Sequence, residues 1–281
     1  MHFHEKPNMY VTNVEIKVSD LHRSLKYYQE VIGFKILDQE SKKATLTADG
    51  YTALLTLVQP ETVEEKTRLT TGLFHFALLL PTRGDLANII TRFHRKGIYY
   101  GASDHAVSEA LYLQDPDDNG IEIYVDRPEE NWTWTSNQVH MVTEPLNIRA
   151  ILMEETGEWN GLPIKTVMGH IHLSVSDLDE AEEFYTNGLG FDIVTRYGTQ
   201  ALFISTGRYH HHIGLNTWHS KNAPKLGENQ VGLKTYSLFL DNDNQATTLK
   251  ENLHAIGAPV VEFEGGFQTE DPAGNTILLK F

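Results

Sequence analysis

The segment NVEIKVSDLHRSLKYYQEVIGFKI, beginning at Asn13, returns as HIHLSVSDLDEAEEFYTNGLGFDI, beginning at His170. A chain that repeats so long a stretch builds its fold from copies of one supersecondary unit, and this constrains the architecture more than any composition does. Both copies open on alternating apolar residues, which is the period of a half-buried strand. A Ser-Asp follows that can cap a helix, and then apolar residues at helical spacing run up to a stopping glycine, Gly33 or Gly190. In the first copy the apolar series is Leu21, Leu25, Tyr28 and Ile32; in the second it is Leu178, Tyr185 and Leu189, interrupted by Glu182. A second pair follows the same logic, HFALLLPTRGDLANIITRFHRKG from His75 and TYSLFLDNDNQATTLKENLHAIG from Thr235. These run on to DPDDNGIEIY from Asp115 and DPAGNTILLK from Asp271, where Asp-Pro and Asn make a turn before a last strand. The sequence therefore predicts an α+β chain of four βαβββ modules, two in each half.

The expected division is an N-terminal domain of two modules over 8–128, a linker over 129–164, and a C-terminal domain of two modules over 165–281. The linker shows neither period strongly, predicts a short helix around Ala150 to Glu155, and carries tryptophans that suggest it packs on the body of the protein. With 38 acidic against 23 basic side chains, the formal charge of −15 repels a phosphate backbone and an anionic bilayer, so neither nucleic acid nor membrane is an expected partner. There are no cysteines, which leaves His and carboxylates as the available strong metal ligands. The N-terminal MHFHEKPNMY has no basic region followed by an apolar stretch, and nowhere do 18 apolar residues run together. The expectation is a soluble, cytoplasmic protein.

YHHHIG, from Tyr209, puts three imidazoles in a row, but successive residues of a strand face opposite ways and cannot all reach one ion. Taken alone, the run reads as a polar, exposed strand edge. GHIHLSVSDLDEAEEFYTNGLGF together with DPDDNGIEIY resembles the vicinal oxygen chelate superfamily, which contains glyoxalase I, antibiotic-resistance proteins and type I extradiol dioxygenases. The four-module length, YHHHIGLN and SEALYLQDPDDNGIEIYVDRP most resemble the bacterial catechol 2,3-dioxygenases. That resemblance covers nearly all of the chain outside the linker.

The resemblance implies that two modules pair into a U-shaped sheet, with metal ligands on first strands and on one last strand. The first-strand position reads Asn13, His75, His170 and Thr235 in the four modules; the last-strand position reads Glu122 and Leu278 in the second and fourth. His75, His170 and Glu122 alone can bind a divalent metal there, a set suited to iron(II) with open positions, and manganese(II) fits the same donors. In familiar two-domain extradiol enzymes all three ligands lie in the C-terminal half. Here they come from both halves, so the second and third modules would have to pair, within one chain or between subunits. The resemblance also makes His211 the acid-base histidine, with His212 as the alternative for a one-residue slip, Tyr112 the active-site tyrosine and His105 a looser match to a supporting histidine. The implied reaction is ring cleavage of a small aromatic diol, catechol, by dioxygen to 2-hydroxymuconate semialdehyde, and a homo-oligomer is left open. A glyoxalase-type lyase or isomerase, or a metal-free protein that sequesters a small molecule, are the competing readings.

Overall fold

The computed structural model describes residues 2–64 and 69–281, and each repeated segment in it forms one strand, one helix and three strands. The first module is β1 (Val11–Lys17), α1 (Leu21–Tyr27), β2 (Lys35–Gln39), β3 (Lys43–Thr47) and β4 (Leu55–Val58); the second is β5 (Gly72–Leu79), α2 (Arg83–Lys96), β6 (Gly101–Asp104), β7 (Ser108–Gln114) and β8 (Gly120–Asp126). The linker holds β9 (Trp134–Thr135), β10 (Gln138–Val139), β11 (Glu144–Pro145) and α3 (Ile148–Leu152). The third module is β12 (Val167–Ser174), α4 (Leu178–Glu183), β13 (Asp192–Tyr197), β14 (Ala201–Ser205) and β15 (Ile213–Asn216); the fourth is β16 (Gly232–Phe239), α5 (Asp243–Ala255), β17 (Val261–Phe263), β18 (Gly266–Glu270) and β19 (Thr276–Lys280).

The helices start where the sequence places their caps. Asp20 accepts from the Arg23 amide at 2.9 Å, and Asp177 accepts from those of Asp179 and Glu180 at 2.9 and 3.1 Å, each cap contributing about 1 kcal/mol. The glycine stops are also there, Gly33 at φ 97° and Gly190 at φ 71°. Glu182, which interrupts the apolar series, faces outward and pairs with Arg196. What the spacing does not reveal is one wider, π-helical turn after each of α1 and α4, Tyr28–Ile32 and Phe184–Gly188.

Two sheets result. The order β17-β18-β19-β16-β1-β4-β3-β2 joins the fourth module to the first, and β11-β6-β7-β8-β5-β12-β15-β14-β13 joins the second to the third. The second and third modules thus pair within one chain, through the antiparallel contact of β5 with β12. Each sequence half, 8–128 or 165–281, supplies one module to each sheet, so the paired-module sheets cut across the halves instead of coinciding with them. Modules of one half are tied by a tyrosine instead of by strand pairing. Tyr28 donates to Asp115 and Tyr185 to Asp271, both at 2.9 Å. Asp115 also accepts from the Asp117 and Asn119 amides and from the Asn119 side chain, so the Asp-Pro-x-x-Asn turn and the inter-module tie share one carboxyl.

Strand alternation divides the second sheet. Phe76, Leu78, Ile121, Ile123, Ile171 and Leu173 enter a large core shared with Val14, Ile16, Leu238 and Ile277 of the other sheet. Their sequence neighbours His75, Ala77, Glu122, Tyr124, His170 and His172 fall on the opposite, concave face. The linker packs on this body, as its tryptophans suggested: Trp132 is buried and donates from its indole to the Arg127 carbonyl at 3.0 Å. Its helix lies slightly earlier than expected, because the Asn147 side chain caps it at the Ala150 amide.

Candidate metal centre

Backbone register assembles three donors around one small residue. Ala77 of β5 is opposite Glu122 on β8 and His170 on β12, and His75 lies two residues before Ala77 on the same face. A register shift between Met168 and His170 turns His170 toward this point. Gly169 lies in that shift, where a methyl group would sit 2.1 Å from the Tyr124 hydroxyl.

The donor atoms converge. His75 Nε2 is 3.0 Å from Glu122 Oε2, His170 Nε2 is 3.2 Å from the same oxygen, and the two imidazole nitrogens are 3.4 Å apart. Three atoms so spaced match ligands about 2.1 Å from a common ion at mutual angles of about 90–110°. Among the described residues, this cluster contains these three ligands and no fourth. Burial works to raise the Glu122 carboxyl, but the charges and hydrogen bonds of His170 and His75 outweigh it and hold the group well below the usual range. Burial pushes the His170 imidazole down, against the pull of Glu122. Two imidazoles and a carboxylate whose donor atoms converge in this way are a set that a divalent cation accepts, so the residues fit a metal. His170 Nδ1 is buried without a partner, and its ring is held instead by packing on Tyr124 and His211.

His211 borders the same cavity, its ring centroid 4.1 Å from that of His170. Burial, then the nearby His170 and His210, push it well below its usual value, so it is a neutral base near pH 7. His212 is not there. Its Nδ1 accepts from the Thr206 amide at 3.3 Å and its Nε2 is 3.0 Å from the Phe3 carbonyl, which turns the ring away into the N-terminal segment. The three histidines also form no exposed edge: all are buried, in irregular chain just before β15.

Tyr112 and His105 are brought together at the cavity wall. His105 Nδ1 donates to the Val142 carbonyl at 2.6 Å, which leaves Nε2 to accept from the Tyr112 hydroxyl at 2.7 Å. Burial, then the Glu122 charge, hold the Tyr112 phenol well above its usual range and therefore protonated. The cavity has about 250 Å³, walled by Phe74, Met141, Val142, Phe203 and Trp218 with His172. His172 follows His170 by two on the same strand face, a signal that was present in the sequence. Phe74, Phe203 and Trp218 gave none, since aromatic residues in strands and loops usually serve a core.

A curled sheet made from two repeated modules, with its donors on the first strands and one last strand, defines a class. The chain belongs to the Glyoxalase/Bleomycin resistance protein/Dioxygenase superfamily, whose profile matches residues 10–123 and 167–279. It is 45% identical over 270 residues to the catechol-2,3-dioxygenase of Bacillus subtilis, covering 94% of either chain. Among solved structures, glyoxalase I from Zea mays shares the fold with a TM-score of 0.60 at 16% identity, covering 97% of this chain and 93% of that one. A Bacillus subtilis protein provisionally called a dioxygenase does so with a TM-score of 0.66 at 13% identity, covering 98% and 86%.

Proposed function

We propose that the chain is a cytoplasmic extradiol ring-cleaving dioxygenase, converting catechol and O2 to 2-hydroxymuconate semialdehyde with one non-haem Fe(II) held by His75, His170 and Glu122. The observation that supports this best is the convergence of two imidazoles and one carboxylate at the floor of an aromatic-walled cavity. When bound, the ion supplies Lewis acidity and vacant positions at which diol and dioxygen meet; Mn(II) suits the same donors. The similarity to a catechol-2,3-dioxygenase along nearly the whole chain favours oxygenation over the other chemistries of this fold. A glyoxalase-type site commonly adds a fourth protein ligand, whereas Thr235 and Leu278 lie on β16 and β19 of the sheet that does not carry the cluster.

The chain's own residues account for positioning and proton movement. Neutral His211 takes a proton from a diol hydroxyl and holds it for return later in the reaction. Tyr112, kept protonated by burial and the Glu122 charge and oriented by its hydrogen bond to His105, presents a polar group beside Glu122. Phe74, Phe203 and Trp218 enclose the ring and exclude water. An apolar cavity of about 150 Å³ holds benzene, so this one has room for a catechol and a small substituent. In an oxygen-electrode assay of anaerobically Fe(II)-loaded protein, one O2 should be consumed per catechol, and a methylglyoxal-thiol adduct should be left intact. Consumption of the adduct without oxygen uptake would move the assignment to a lyase; tight aromatic binding unaffected by chelator would move it to a sequestering protein.

A further inference from the structure

Behind His211 stand a second imidazole and a carboxylate. His211 Nδ1 lies 2.8 Å from His210 Nδ1, and His210 Nε2 lies 2.7 Å from Asp126 Oδ1. His210 is fully buried, while the Asp126 side chain, at the end of β8, is 23% exposed, so the connection runs from the cavity wall to the edge of solvent. Asp126 also accepts from the Tyr209 hydroxyl at 3.1 Å. The rings of Trp132 and Tyr209 flank His210, with centroids at 5.1 and 4.0 Å, and hold it in place. The chain is irregular at this point, and His212 is held elsewhere by its contacts with Thr206 and Phe3.

Hydrogen accounting assigns the tautomers. A carboxylate only accepts, so the hydrogen between Asp126 and His210 belongs to His210 Nε2. In a neutral ring this leaves Nδ1 with a lone pair, and the hydrogen in the 2.8 Å contact comes from His211 Nδ1. A neutral His211 protonated at Nδ1 has its lone pair on Nε2, on the edge of the ring not engaged by His210. We propose that Asp126 and His210 are positioning residues that hold His211 in the tautomer whose Nε2 is a bare acceptor for the substrate. This rests on the oxygenase reading, because a substrate hydroxyl is what gives that acceptor its task.

Nitrogen NMR of 15N-histidine-labelled protein, metal-free and Zn(II)-substituted, reads the tautomer without turnover. His211 should carry its hydrogen on Nδ1. In His210→Phe, which fills the site but cannot accept, and in Asp126→Asn, whose amide can donate to His210, that preference should be lost. A hydrogen on His211 Nε2 in the unaltered protein would overturn the proposal whatever the protein catalyses. The expected tautomer in a protein that does not cleave catechol would instead remove only the oxygenase reading. In turnover, both variants should lower kcat at least about tenfold with KM and metal content unchanged, and neither should lower it further in a His211→Ala background. Equal losses in both backgrounds, or unchanged kcat, would contradict the proposal. If His210→Phe does not fold, Asp126→Asn at the partly exposed strand end decides by the same two readouts.

Discussion

Gly120 stands two residues before Glu122, and a methyl group on its Cα would lie 2.1 Å from the Phe74 carbonyl oxygen. No strand pairing survives that overlap, so Gly120→Ala should push β8 away from β5 and carry the carboxylate off its two imidazoles. Metal content by elemental analysis is expected to fall to under about a tenth of the unaltered protein's, as it should in His75→Ala and Glu122→Ala, where a ligand itself is removed. Retention of full metal by Gly120→Ala would show that the close approach of β8 to β5 is not what positions Glu122. His75, His170 and Glu122 were legible in the sequence because the family resemblance implies ligands on first strands and one last strand, and the repeat locates those positions in each module. His211 was preferred to His212 there only through the register of the resemblance, which a one-residue slip would change. The chain before β15 is irregular, so only the contacts of His212 with Phe3 and Thr206, remote or turned back in the chain, decide which ring meets the cavity. His210 and Asp126 were invisible for a related reason: their contact crosses from the third module to the second.

Among the elements, the strand–helix–three-strand unit and its Asp-Pro turns could be read directly, since caps, glycine stops and turn residues act locally. The two tyrosine ties could not, because Tyr28 and Tyr185 fall on apolar positions of the helical series and look like core aromatics. Each hydroxyl donates to a carboxyl that is almost wholly buried. Removing the donor leaves a buried acceptor short of a partner, so Tyr28→Phe and Tyr185→Phe should each cost about 1–3 kcal/mol in urea unfolding. The costs should be additive, because the ties join different pairs of modules. A change under about 0.5 kcal/mol in both variants would show that the turn amides and the Asn119 and Asn275 side chains satisfy these carboxyls without the tyrosines.

In the whole molecule, ligand bookkeeping required the second and third modules to meet, and β5 against β12 provides that meeting within one chain. The cost of building the site this way is a concentration of buried imidazoles around the sheet. Burial lowers His4 from 6.5 to about 4 and pushes His172, His211 and His212 well below their usual value. The unfolded chain binds protons near pH 6.5 that the folded chain refuses, so their contribution to stability is complete above that value and is lost as pH falls through 6.5 toward 4 and below. Each such histidine adds a slope of up to about 1.4 kcal/mol per pH unit within its window. Urea midpoints of metal-free protein should therefore drop steeply between about pH 6.5 and 5, and a flat profile would contradict neutral burial. The account as a whole turns on one ion with room for two further ligands. Electron paramagnetic resonance of anaerobic Fe(II)-loaded protein exposed to nitric oxide, a stand-in for dioxygen, with and without catechol, tests this most directly. The expected result is one high-spin iron-nitrosyl centre per chain, reshaped by catechol and absent in Glu122→Ala; no such centre, or one that catechol leaves unchanged, would contradict it.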